Sequence, residues 1–190
     1  MRKLLVALAM VGVMVLLLSI PAQAQTPYGF YVSIVGEKQG KIKGESLQKG
    51  TEGKIPGVRF QYAVTIPTDP QSGMASGKRK HQPVVITKQW GFSSPQILKA
   101  CVTGEHLKEV TIEFVRTNPQ GQKYIYQVIR LTEAVVISIR QYANMLNPSD
   151  PLATIRPPDL EDISFTFNKI EILNKDGNTT VMDTWVGPSV

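Results

Sequence analysis

Thiols and imidazoles are scarce in this chain: it has one cysteine, Cys101, and two histidines, His81 and His106. A lone cysteine cannot close an intramolecular disulfide, so the fold has to rest on its hydrophobic core. A closed zinc site needs four ligands, which these residues are too few to supply. Their spacing matches no ligand pattern, and the apolar segment 97–102 around Cys101 predicts a buried structural thiol rather than a nucleophile. No Gly-x-Ser-x-Gly elbow, Gly-x-Gly-x-x-Gly turn or P-loop is present; Gly73 to Lys78 has the glycines and a lysine, but neither the spacing nor a following helix. Glu161 and Asp162 are adjacent, so on a strand they point to opposite faces and cannot easily share a substrate; they read as solvated turn charges. The expectation is therefore a protein that is not an enzyme and needs no metal or cofactor.

Charge is equally uninformative about partners. The formal net charge is +6, a mild excess. The basic run Lys78-Arg79-Lys80-His81 is short and has no interleaved aromatics, which argues against a nucleic-acid surface. It reads as a solvated or partner-contacting loop.

What the N-terminus does have is an export pattern. Arg2 and Lys3 precede an uncharged apolar run over residues 4–20, which Pro21 ends. Ala22-Gln23-Ala24 then gives the small-x-small pattern of a signal-peptidase site. The run is just long enough to span a bilayer, but the cleavage pattern at its end predicts removal after Ala24. Residues 1–24 are thus expected to be a signal peptide and 25–190 one domain, secreted or periplasmic and free of the membrane.

That domain reads as strands between Gly/Pro turns. Residues 29–36, 83–90, 108–117, 123–131, 134–141, 162–173 and 179–186 are β-rich. Over 58–66, Val58, Phe60, Tyr62, Val64 and Ile66 share one face, the pattern of a half-buried strand. In 162–173 the apolar phase changes, and a bulge near Asn168-Lys169 would restore the register. Ser93-Ser94-Pro95 starts the one short helix, with a serine as cap and Pro95 in the first turn. Ile97, Leu98, Cys101 and Val102 form its apolar stripe, and Gly104 stops it. Residues 67–82 and 144–159 lack any period and read as long loops, a length that usually signals function or mobility. One helix among about eight strands predicts an all-β domain, a two-sheet sandwich or a small closed barrel.

The segment 73–102 carries a further pattern. Ser76-Gly77-Lys78-Arg79, His81 and Pro83 form a loop, Thr87-Lys88 ends a strand, and Ser94-Pro95 opens the helix. Later come Val110-Thr111-Ile112-Glu113-Phe114-Val115-Arg116 and Ile163-Ser164-Phe165-Thr166-Phe167-Asn168-Lys169-Ile170. In this order and spacing the residues resemble the Hcp family, the tube-forming proteins of bacterial type VI secretion, over roughly residues 28–173. The resemblance implies a small β-barrel whose copies form hexameric rings that stack into a tube. It also implies small effector proteins and a secretion-spike protein as partners. It makes residues 68–81 an arm reaching a neighbour, with Ser76, Gly77, Lys78, Arg79, Lys80 and His81 as its inter-subunit residues. Two features depart from the family. The usual acidic residue before Ser-Pro is replaced by Gly91-Phe92, and tube proteins carry no leader. A second reading is accordingly an exported barrel that acts as a binding module with no tube role.

Overall fold

Strand β1 (Phe30–Gly36) has apolar residues on both faces, and Phe30, Tyr31, Val32 and Ile34 are all buried in a computed structural model that describes residues 29–143 and 159–185. The leader read in 1–24 and all but the end of the loop read in 144–159 lie outside the described residues. Strands β2 (Gly40–Lys41), β3 (Ile55–Gly57), β4 (Arg59–Gln61), β7 (Val84–Gln89), β8 (His106–Thr117), β9 (Lys123–Tyr142), β10 (Leu160–Asn174) and β11 (Thr179–Thr184) join β1 in one antiparallel sheet. Strands β5 (Val64–Thr65) and β6 (Lys80–His81) make a second, two-stranded sheet.

Hydrogen bonding runs in the order β1, β8, β9, β10, β7, β4. Strands β3 and β4 are successive pieces of one segment: β3 pairs with β1 and β4 with β7. Residues 55–61 therefore bridge the two ends of the sheet and close it into a barrel, which removes most free edges. Inside lie Val32, Ile34, Ile55, Ile86, Leu107, Ile112, Leu131, Ile163 and Phe165, all fully buried. Each such side chain contributes ~1.5–3 kcal/mol by leaving water. Phe30, Phe60 and Phe114 pack as an aromatic trio with centroids 5.2–6.3 Å apart.

The apolar phase changes in three neighbouring strands at one level. Buried positions step from Leu107 to Val110 in β8, from Leu131 to Ala134 in β9, and from Phe167 to Ile170 in β10. The steps are in register: Leu107 faces Ala134, which faces Phe167, and Val110 faces Leu131, which faces Ile170. At the step Glu133 takes φ 50°, and Asn168 donates to its carboxylate at 2.6 Å. The expected phase change is present, but no single-strand bulge at Asn168-Lys169 makes it. The β9–β10 register shift falls instead between Ser164 and Phe165. The same geometry merges the strands read over 123–131 and 134–141 into one, β9.

The only helix among the described residues, α1 (Ser94–Val102), packs against β9. Ser94, Ile97 and Ala100 face inward, with Cys101 half-buried beside them. Leu98 and Val102 are exposed, contrary to the expected stripe. The apolar residues span two adjacent faces of the helix, and the barrel covers only one. Gly104, with φ +60°, ends the helix as expected.

Candidate assembly arm and its anchor

The chain leaves the barrel wall after β4 and returns to it at β7. Between them it makes a hairpin rather than the shapeless loop the prolines suggested. Val64 pairs with His81 and Thr65 with Lys80, the Ser76 amide donates to the Pro67 carbonyl at 2.8 Å, and a bridge joins Thr68 to Ala75. At the tip the Asp69 carboxylate accepts from the Ser72 and Gln71 amides at 2.8 and 3.0 Å. These donors, the Ser72 amide foremost, hold the Asp69 carboxyl below its usual value. The alternation over 58–66 only half predicted the outcome. Phe60 and Tyr62 pack on the core, but Val58 is exposed, and Val64 and Ile66 are 49% and 55% exposed. The pattern persists beyond Gln61, where no barrel remains beneath it. With Met74, 71% exposed on the returning side, these residues leave the arm with an open apolar surface.

Of the six residues expected at a subunit contact, Ser76, Gly77, Lys78 and Lys80 are exposed. Arg79 and His81 turn back onto the barrel. The Arg79 guanidinium donates to both carboxylate oxygens of Asp183 in β11. The His81 side chain is 1% exposed, with Nε2 3.2 Å from Asp183 Oδ2 and Nδ1 2.7 Å from the Tyr62 hydroxyl. Its ring stacks with Tyr62 and Trp185 at 6.2 and 5.8 Å and meets Phe167 edge-on at 5.6 Å. This box sits where β10 changes partners, from β7 up to Phe165 to β11 from Lys169. The Arg79 hydrogen bonds hold the Asp183 carboxyl below its ordinary value. Burial, then the Asp183 charge, pushes the Tyr62 hydroxyl up. Sequence reasoning missed Asp183 and Trp185: Asp183 lies 104 residues from Arg79, and nothing local marks either.

At the other end of β7, Pro95 sits in the first turn of α1 as expected, but no serine side chain caps the helix. Ser93 instead donates from its amide and hydroxyl to Glu45 Oε1, at 2.9 and 2.6 Å. A carboxylate there suits the positive helix end. A side chain on Gly91 would overlap it, so the glycine leaves room for a carboxylate from a distant loop. Ser94 Oγ accepts from Lys88 Nζ at 3.1 Å. Lys88 and Glu161, Cα partners on β7 and β10, are each 1% exposed and meet at 3.1 Å, with Glu45 Oε1 at 3.6 Å from the same Nζ. Glu161 also accepts from Gln141 at 2.7 Å. The expectation of solvated charges at 161–162 fails for Glu161: β10 turns it inward, where burial demands a paired cation. Asp162 does face the other way, accepting from Thr87 at 2.5 Å and Tyr142 at 3.1 Å.

Among the described residues, no cluster of His, Cys, Asp or Glu is placed to hold a metal ion, and no helix is long and apolar enough to cross a membrane. The geometry is that of a closed barrel with a tethered, apolar arm. Known proteins share the overall fold. The chain is 37% identical over 167 residues to the "Major exported protein" of Pseudomonas aeruginosa strain PAO1, covering 83% of this chain and 95% of that one. Its fold matches the Hcp1 protein of E. coli EAEC 042 with TM-score 0.72 at 27% identity, over 83% of this chain and 99% of that one. It matches secreted protein Hcp3 of Pseudomonas aeruginosa with TM-score 0.67 at 30% identity, over 83% and 98%. The family described as "Type VI secretion system effector, Hcp" matches residues 31–173, and the chain belongs to that family.

Proposed function

We propose that this protein is a ring-forming subunit, and that six copies join through their arms into rings that stack as a tube. The observation that carries this reading is the arm: Val64, Ile66 and Met74 lie open on a hairpin that reaches away from a barrel already closed on itself. Open apolar surface of this kind marks an interaction site. A ring needs a heterologous contact, in which a patch on one copy meets a different patch on the next. An arm on one side of the barrel supplies half of such a contact. The bore of the tube carries small effector proteins, and a spike protein tops the stack. The leader over 1–24 is cleaved after Ala24, and the barrel domain over 25–190 assembles once exported. That one relative is itself described as a major exported protein supports export.

Light scattering on the exported protein tests the reading. A particle near six monomer masses is expected, and V64N/I66N should reduce it to monomer while leaving the circular dichroism unchanged. A native chain that stays monomeric at high concentration refutes the ring and favours a binding module with no tube role.

A further inference from the structure

We propose that Arg79, His81 and Asp183 are positioning residues that fix the angle at which the arm leaves the barrel, and that this angle governs the strength of self-association. The inference rests on the arm contact proposed above. Two short strands tie the arm's own halves together, but they do not fix its direction relative to the wall. That direction is set at the root. Asp183 on β11 holds the Arg79 guanidinium and stands 3.2 Å from His81 Nε2. Tyr62, on the outgoing side of the arm, meets Nδ1 of the same ring at 2.7 Å. His81 thus joins both sides of the root to β11, and Trp185 closes the box by stacking on it.

The residues are of a kind that fixes geometry. A planar guanidinium bonded to both oxygens of one carboxylate fixes orientation as well as distance. An imidazole hydrogen-bonded at Nδ1 to the Tyr62 hydroxyl, facing the Asp183 carboxylate with Nε2 and stacked on an indole has little freedom to turn. The basic residues at the root therefore divide by role, with Lys78 and Lys80 facing solvent while Arg79 and His81 hold the arm's bearing. Without the anchor the arm samples several directions, and apparent affinity falls by the fraction of time it points correctly. In a ring that loss recurs at every contact.

The test uses the exported protein in a W90F background, which leaves Trp185 as its one tryptophan. D183N removes the charge that holds Arg79 and His81 while keeping the side chain's shape. R79A removes the same tie from the more exposed partner, and serves if D183N does not fold. In each, Trp185 emission should shift to the red, the circular dichroism should stay unchanged, and the concentration at which rings dissociate should rise at least tenfold. The exchanged pair R79D/D183R should bring it back to within about threefold of the parent, by restoring the same charge-assisted pair in reverse. A red shift with no change in ring dissociation overturns the proposal, provided V64N/I66N still abolishes rings. If V64N/I66N itself leaves the rings intact, the arm contact is wrong, and the anchor's role in assembly falls with it.

Discussion

Replacing Lys88 by methionine keeps the length of the side chain and removes its charge. In the native barrel the ammonium lies between Glu161 and Glu45, 3.1 and 3.6 Å away, with Lys88 and Glu161 each 1% exposed. Water cannot replace the lost cation, so K88M leaves the Glu161 carboxylate buried with only Gln141 as a donor. Removing one partner of a buried pair costs ~3–5 kcal/mol, whereas replacing both by groups of similar volume is often neutral. K88M should lose that amount, and K88M/E161Q should recover at least half of it. Glu45 keeps its two hydrogen bonds from Ser93 in both variants. Urea unfolding followed by circular dichroism reads the difference as a lower midpoint at constant slope. In thermal unfolding the single variant should fall by ~6–20 °C for a chain of this size. Protein concentration must be held fixed, because self-association of the kind proposed stabilises the folded state. A K88M that loses less than ~1 kcal/mol, or a double variant weaker than the single, would show that the charges are hydrated in the native barrel.

Glu45→Ala should cost ~1–2 kcal/mol in urea unfolding, because α1 has no other acidic or side-chain cap and a lost cap is worth about that. Glu105 accepts from the Gln39 and Lys38 amides and from the Gln39 side chain, each at 2.8 Å, and the Gln39 amide foremost holds its carboxyl below the usual value. A depressed native value means that the stabilisation is whole above the ordinary carboxylate range and is lost as pH falls through the depressed one. Melting temperatures taken from about pH 6 to about pH 2 should therefore drop less steeply for E105Q than for the parent; equal slopes would exclude Glu105 as a source of the acid limb. Asn178 sits at φ 47° in the turn before β11, a conformation that asparagine tolerates and most residues do not. N178A should lose ~1 kcal/mol, while N178G stays within ~0.5 kcal/mol of the parent, as urea midpoints would show.

The strands were legible because burial there follows a local rule. Val110, Ile112 and Phe114 alternate, and so do Ile163, Phe165 and Phe167; each set faces the core or packs against it. Even the phase change after Phe167 could be read from one strand, since a step of three is visible in the letters. Its cause could not. It takes three strands in register to show that Leu107, Ala134 and Phe167 step together. The arm was legible as a segment, because residues 67–82 break every period, but its hairpin rests on backbone pairs that glycine and proline disguise. The anchor and the Lys88 cluster were not legible at all. Arg79 with Asp183, and Lys88 with Glu45 and Glu161, become neighbours only when the barrel closes. Charged residues in sequence look alike whether they end up in water or inside.

Where the anchor sits bears on how a ring could close. A heterologous contact repeats the same rotation at each step, and the chain of copies meets its start only if that rotation divides the circle; otherwise it becomes an open helix. The rotation depends on the angle between the arm and the barrel that bears it. A hairpin tied only by Val64–His81 and Thr65–Lys80 would swing, and the same sequence would give rings of several sizes. The arm is rooted where the wall itself is discontinuous, between the end of the β7 pairing at Phe165 and the start of the β11 pairing at Lys169. There a buried imidazole, a guanidinium and a carboxylate can reach one another, and Glu133 and Asn168 set the local step of the sheet on the opposite side of β10. On this argument, loosening the root should broaden the distribution of particle sizes before it abolishes association, a distinction that mass photometry of D183N would resolve. A uniform ring size in D183N, even with weaker association, would mean that the receiving surface alone sets the rotation.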